Sequence, residues 1–306
     1  MARDPFPHDP QDTRDTSAPP PRGRSRQASE RSGARDPEAP DGALDPSGRN
    51  PWPPEREESP RGYSLRERTF LLRSSELHAL GELGKFRVIA AADLARHAYA
   101  GDGPRMERDL RHLQRQSLVS ERTLEISGKK TLRAITLTKA GRRLLKQTGH
   151  LPEEQAVYHG LVKPREAKHD ADLYRLYYKE TAHIEREGGK PLRVILDFEL
   201  KRNLNRGRVA LGPETTNPDE LTRLAEGQGL SVVDGKIPVP DLRIEYQTAE
   251  GELRHVDLEL ATRHYRPQGL AAKARAGFSL YSFREDASRL RRILDDREIT
   301  AGILAL

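Results

Sequence analysis

The length, composition and charge of the chain exclude several classes of protein. Its 306 residues contain no cysteine, which excludes disulfides and thiolate metal sites. No apolar run approaches the roughly 20 residues of a membrane helix, and the N-terminus lacks the apolar core of a signal peptide. We therefore predict a cytoplasmic protein outside the membrane, long enough for two domains and a tail.

The N-terminal segment is predicted to be a disordered tail. Residues 1–60 hold 13 of the 22 prolines and very few large apolar side chains. Such a composition buries too little apolar surface to offset the entropy that is lost on ordering. We assign residues 1–62 to this tail. The alternative is a partner-binding arm anchored on Trp52, which lies among prolines.

The positive charge of the chain is concentrated in one segment. Residues 63–150 carry 18 Lys and Arg against 9 Asp and Glu, whereas residues 151–306 carry 25 against 26. A surplus confined to about ninety residues is typical of a domain that binds a polyanion. We therefore divide the chain after the tail into domains at residues 63–150 and 151–306.

Three helices are predicted at the start of the basic segment. Residues 74–84 begin with serines suited to an N-cap and repeat leucine at a spacing of three. Residues 91–99 predict a short second helix. A third begins near Pro104, since proline suits the first turn, and it carries an apolar stripe spaced by four and three residues. That stripe consists of Met106, Leu110 and Leu113.

A β-hairpin and a closing helix complete a predicted winged helix-turn-helix. Alternating residues near 123–126 and 132–137 flank a basic turn, and Thr138 suits the cap of the closing helix. In this fold the third helix enters the major groove and the wing reaches the DNA backbone or minor groove. The predicted DNA-binding residues are Arg105, Arg108, Arg111, His112, Arg115, Lys129 and Lys130. The alternative is a winged helix that contacts proteins.

This segment resembles winged-helix transcription regulators. The resemblance lies in the sequence Leu-Gln-Arg-Gln-Ser-Leu-Val at residues 113–119 and in Leu-Thr-Lys-Ala-Gly at residues 137–141. The second motif is fairly specific when it follows a hairpin.

The second half of the chain is predicted to alternate helices and strands. Residues 168–187 predict a long amphipathic helix and residues 192–198 a buried strand, before a polar, irregular stretch at 200–216. Another helix starts near Asn217. Strands at 239–247 and 254–261 then form a hairpin. At the C-terminus, residues 286–296 predict a helix and residues 299–306 a buried final strand.

The hairpin is predicted to bring two carboxylates together. If Thr248 pairs with Glu252 around a turn that contains Gly251, Asp241 lies opposite Glu259. Two carboxylates at that distance repel unless a cation lies between them, and oxygen ligands suit Mg²⁺. The alternative is that both are ordinary polar-face residues paired with arginines across the strands.

The element order of this half resembles the PD-(D/E)XK nuclease fold. That resemblance implies that Asp241 and Glu259 bind Mg²⁺, which activates water to attack a phosphodiester, while a lysine assists. The expected lysine position is Ala261 here, so Lys273 on the following helix is the candidate substitute. Glu180 on the long helix is a candidate third metal ligand.

More specifically, the chain resembles the replication-relaxation family of plasmids and other mobile elements. The motifs are His169, Glu180, Pro240-Asp241, the sequence Leu-Glu-Leu-Ala-Thr at residues 258–262, and Lys273 with Tyr281 on the next helix. The family usually has a second acidic residue where this chain has Ala261. The resemblance implies double-stranded DNA as partner, with replication or mobilisation proteins and a homodimer as further candidates.

These observations predict an α/β (α+β) protein with a winged helix-turn-helix domain, a restriction-endonuclease-like domain and a disordered N-terminal tail. The first hypothesis is a DNA-binding protein of a mobile element that acts in replication or transfer control. The second is a Mg²⁺-dependent endonuclease that uses Asp241, Glu259 and Lys273. The third is a transcription regulator whose C-terminal domain senses a ligand or dimerises.

Overall fold

The computed structural model describes residues 59–127, 130–161, 166–211 and 217–306. The predicted tail therefore lies almost wholly outside the described residues, as does Lys129. Its assigned end was too late, because Arg61 and Gly62 belong to strand β1 (Arg61–Leu65). This strand pairs in antiparallel fashion with β2 (Arg68–Leu72), a hairpin that the sequence analysis did not predict. Phe70 and Leu72, two residues apart in β2, lie on the same face of the strand, and both are buried.

The three helices predicted in the basic segment are confirmed as α1 (Ser74–Lys85), α2 (Ala91–Ala98) and α3 (Gly103–Arg115). The N-cap of α1 differs from the prediction. Arg73, not a serine, occupies its N-cap. The backbone N–H of Arg73 donates to Oε2 of Glu76, in the first turn of the helix, at 2.8 Å. At α3 the side chain of Asp102 accepts from the backbone N–H of Arg105 at 2.9 Å.

The predicted hairpin is confirmed and its strands are longer, β4 (Val119–Ser127) and β5 (Lys130–Leu137). A short strand, β3 (Ile89–Ala90), pairs with β5 and gives the antiparallel order β3-β5-β4. The closing helix α4 (Lys139–Thr148) is capped as predicted, with Thr138 Oγ1 accepting from the N–H of Gly141 at 3.0 Å. A Cβ at Gly141 would lie 2.1 Å from the carbonyl oxygen of Leu118, so only glycine fits there.

The second half opens with α5 (Ala167–Arg186), as predicted, and β6 (Lys190–Leu196). The prediction of an irregular stretch at 200–216 is wrong, because α6 (Asp197–Leu211) occupies most of those residues. Its buried leucines, Leu200 and Leu204, lie one helical turn apart and form the inner face. Helix α7 (Pro218–Glu226) follows, capped by Asn217.

A five-stranded sheet forms the centre of the second half. Its remaining elements are β7 (Leu242–Gln247), β8 (Leu253–Leu260), α8 (Pro267–Arg275), β9 (Ser279–Ser282), α9 (Arg284–Asp295) and β10 (Ile303–Ala305). The strand order is β10-β9-β8-β7-β6, antiparallel from β6 to β8 and parallel from β8 to β10. The predicted final strand shortens to β10 at the sheet edge. Tyr281, predicted on a helix, lies instead in β9.

The apolar core runs across the predicted domain boundary near residue 150. Phe86, after α1, packs its ring edge-to-face against Tyr174 and Tyr177 of α5, with centroids 5.0 and 5.3 Å apart. Arg175 of α5 donates to Asp93 of α2 at 2.9 Å. The helices and strands of both halves therefore share one core, and a second cluster fills the opposite face of the sheet beneath α8 and α9.

The observed class is a mixed α/β structure. None of the helices in the described ranges combines the length and apolar character that are required to cross a bilayer.

Candidate nucleic-acid interface and carboxylate cluster

Helix α3 presents a row of arginines to solvent. Arg108, Arg111 and Arg115 are exposed, and their spacing of three and four places them on one face. The opposite face is the predicted apolar stripe, which is buried in the core. Arg108 Nε lies 3.4 Å from Oδ1 of the buried Asp109, and Arg111 Nε donates to the carbonyl of Glu107, but the guanidinium groups stay exposed along the helix.

Two other predicted DNA-binding residues of α3 lie elsewhere. His112 is half-buried, and its Nδ1 lies 2.5 Å from Oε1 of Glu76, a fully buried carboxylate of α1. Arg105 is half-buried at the first turn, where its backbone completes the cap with Asp102. The structure therefore places His112 as a link between α1 and α3, and it does not bring these two side chains into the exposed row.

A polar network that the sequence analysis missed holds α3 against the hairpin. Arg133 of β5 donates to both carboxylate oxygens of Glu107 on α3 and, at 2.5 and 2.8 Å, to those of Glu121 on β4. The hydrogen bonds from Arg133 lower the pKa of Glu107 and of Glu121, so both glutamates are ionised, and the single positive charge of Arg133 leaves the trio with one net negative charge. Gln114 of α3 also donates to Glu121 at 2.9 Å. The angle between helix and hairpin is thus fixed by charged hydrogen bonds.

The hairpin contributes further exposed cations. Arg122 of β4 and Lys130 of β5 are exposed, and the other predicted wing-tip residue, Lys129, lies outside the described residues. Arg122, which was not among the predicted DNA-binding residues, pairs with the buried Ala134 and so lies on the face of the hairpin opposite to Arg133 and Glu121.

In the second half, the predicted register of the carboxylate hairpin is confirmed. Leu242 pairs with Leu258 and Gln247 with Leu253. Asp241 therefore meets Glu259 at the end of the hairpin: its backbone N–H donates to Glu259 Oε2 at 3.1 Å. In return, the N–H of Leu260 donates to Asp241 Oδ2 at 3.0 Å.

Lys273 reaches this pair from α8. Its Nζ lies 2.7 Å from Glu259 Oε2 and also donates to the carbonyl of Val239. The hydroxyl of Tyr265, which the sequence analysis missed, donates to Glu259 Oε1. Glu259 is fully buried, and both of its oxygens accept hydrogen bonds from protein groups.

The charges in the cluster follow from these contacts. Burial and the neighbouring Asp241 raise the pKa of Glu259 against the opposing effect of Lys273. Burial alone would raise the pKa of Asp241, but the hydrogen bond from His169 Nε2, at 3.2 Å, and the charge of Lys273 lower it. Burial would lower the pKa of His169, yet hydrogen bonds with Asp170 and Asp241 raise it to about 10. Asp241 is therefore an anion between two cationic side chains.

The cluster does not fit the magnesium site that the nuclease resemblance implies. Mg²⁺ needs near-octahedral oxygen ligands and keeps several waters, which requires carboxylate oxygens that face open space. Glu259 has no exposed surface, and the ammonium group of Lys273 already lies against Oε2. The cation that lies against Glu259 is therefore one that the protein supplies itself.

Glu180, the tentative third ligand, is not brought to the cluster. It accepts a hydrogen bond from the hydroxyl of Tyr281, whose strand position pairs with Leu260 and so faces the opposite side of the sheet from Glu259. It also lies eleven residues along α5 from His169, about 16 Å at 1.5 Å per residue. Within the described ranges, no three His, Asp or Glu side chains converge as metal ligands do.

Comparisons with known proteins leave the family open. No protein-family model matches the sequence, and a search of curated proteins found no match. Among solved structures, the chain is similar to Bacillus subtilis PadR in complex with operator DNA. The identity is 14% and the TM-score 0.22, over 51% of this chain and 92% of PadR. A TM-score of that size establishes neither a shared fold nor a shared function.

Proposed function

We propose that this chain binds double-stranded DNA through α3 and the hairpin β4–β5. The observation that carries the proposal is the exposed arginine row of α3, held at a fixed angle to a basic hairpin by Arg133. Three helices, a three-stranded antiparallel sheet and a closing helix are the elements of a winged helix-turn-helix. In that arrangement α3 lies in the major groove and the hairpin beside the backbone.

The chemistry of the row suits both parts of DNA recognition. Guanidinium groups donate in pairs to the O6 and N7 atoms of guanine in the major groove, and they also neutralise phosphates. Arg122 and Lys130 on the hairpin supply further charge for the backbone, which fixes position without reading sequence. Arg133 offsets one of the two negative charges of Glu107 and Glu121, so the exposed cations of α3 and the hairpin outnumber the one negative charge that remains.

The biological role that we propose is control of replication or transfer on a plasmid or another mobile element, in the cytoplasm. It rests on the resemblance to the replication-relaxation family, supported by the convergence of His169, Asp241, Glu259 and Lys273 in one cluster. In this role the nuclease-like half binds DNA or a replication or mobilisation protein. We do not adopt the endonuclease alternative, because the cluster does not fit Mg²⁺.

A gel-shift assay on supercoiled plasmid tests the proposal against that alternative. Wild type and Asp241→Ala are each incubated with plasmid in EDTA, in Mg²⁺ and in Mn²⁺. We expect shifted but intact plasmid in every lane, because binding depends on α3 and no metal is needed. Nicking by wild type only, and only with metal, would establish the endonuclease instead. No shift at any protein concentration would refute DNA binding.

A further inference from the structure

Helix α6 presents a second basic face that the arginine row of α3 does not explain. One side of the helix lines a shallow open groove and combines three cations, one amide and two apolar side chains. These residues are Phe198, Lys201, Arg202, Asn205, Arg206 and Val209. Their spacing of three and four residues puts all six on the same face, while Leu200 and Leu204 on the other face are buried.

Within the described ranges, one of the three cations of this face, Lys201, is paired with an acidic residue, whereas Arg202 and Arg206 show no ion pair. Among the described residues, those that line the groove include no Asp or Glu. Of the two acidic residues in α6, Asp197 pairs with Lys201, and Glu199 is buried with Arg193 and the hydroxyl of Tyr158. Arg202 and Arg206 therefore extend into solvent as a cationic pair one turn apart.

The face is attached to the winged half of the molecule. The guanidinium of Arg87 lies 3.8 Å from the centroid of the Phe198 ring, and Tyr158 packs edge-to-face on the same ring at 4.7 Å. Arg87 lies two residues before β3, which pairs with the hairpin strand β5. The α6 face is therefore held at a defined position relative to the wing, and Arg87 adds a further cation at its edge.

We propose that this face of α6 binds the phosphate backbone of double-stranded DNA outside the segment contacted by α3 and the hairpin. The inference rests on the proposed function, because it places a second contact on the same ligand. Two exposed arginines one turn apart, with an amide donor between them, match a phosphate backbone. A membrane-surface helix needs a broad exposed apolar face, whereas the main apolar residues of α6 are buried.

The test compares duplexes of two lengths by fluorescence anisotropy. One duplex, of about 12 base pairs, spans little more than a single major-groove contact, and the other, of about 30, extends beyond it on both sides. We expect wild type to bind the longer duplex more tightly and with a steeper salt dependence. Arg202→Ala with Arg206→Ala should reduce that slope on the longer duplex by about 1.8, the value for two lost phosphate contacts. Binding to the shorter duplex should not change.

The control is a charge-matched pair on α9, Arg289→Ala with Arg292→Ala, which are exposed on another helix. An equal loss in this control would overturn the inference, because net charge alone would then explain the effect. An unchanged slope in the α6 variant would also overturn it, while duplex binding by wild type would keep the proposed function intact. Failure of wild type to bind either duplex would instead refute the proposed function itself.

Discussion

Replacing Phe86 by alanine is expected to lower the free energy of unfolding of the described structure by about 3–5 kcal/mol. The ring is almost wholly buried and packs edge-to-face against Tyr174 and Tyr177 of α5. Its removal leaves a cavity where the segment that contains α1 to α4 meets α5. Because the two halves share one core, we expect the loss to appear in both of them.

Hydrogen exchange followed by mass spectrometry measures directly whether both halves lose stability. Peptides from α1 and from α5 to β8 should gain exchange together, and chemical denaturation should remain a single transition. The matched control is Leu253→Ala, which truncates an exposed leucine and should change stability by less than about 0.5 kcal/mol. Two transitions, of which Phe86→Ala moves only one, would contradict the shared core.

Replacing Lys273 by methionine is expected to cost about 3–5 kcal/mol at alkaline pH, above the Glu259 pKa of about 8, where the carboxylate is ionised. Methionine keeps the apolar stem but removes the charge that lies 2.7 Å from the fully buried Glu259. The carboxylate is then left beside Asp241 without a counter-ion. The cost should shrink as pH falls, because the raised pKa of Glu259 lets it take up a proton, and a neutral carboxyl needs no partner.

A double-mutant cycle with Glu259→Gln separates this pair from general loss of packing. The double variant should be more stable than the sum of the single losses predicts, since neither charge is then unpaired. Lys236→Met, which removes an exposed lysine, should leave the denaturation midpoint almost unchanged. Strictly additive losses would mean that Lys273 does not act as the counter-ion of Glu259.

The elements with local signals were predictable from the sequence. Thr138 and Gly141 mark the start of α4 by their chemistry, since one caps the helix and the other permits contact with Leu118. Gly251, with a φ of 87°, marked the turn whose register placed Asp241 against Glu259. Side-chain direction follows from register alone in a strand, so the carboxylate pair could be predicted without any tertiary information.

The features that were missed depend on contacts distant in sequence. Polar residues around Leu200 and Leu204 concealed α6, whose inner face is defined by packing against α7, where Leu224 lies over Gly207. Arg133 has no local signal either, because its role requires α3 and β4 to meet it. Glu180 could not be excluded from the cluster until the sheet showed that Tyr281 faces away from Glu259.

The affinity of the chain for duplex DNA, measured across a range of salt concentrations, tests the central claim most directly. Wild type is compared with Arg108→Ala and Arg111→Ala combined, and with the Arg289→Ala and Arg292→Ala pair as the charge-matched control. We predict that the α3 variant loses about 1–3 kcal/mol of binding for each arginine that reads a base pair, and that its salt slope becomes shallower. Unchanged affinity and slope in the α3 variant would contradict the assignment of α3 as the DNA-reading helix.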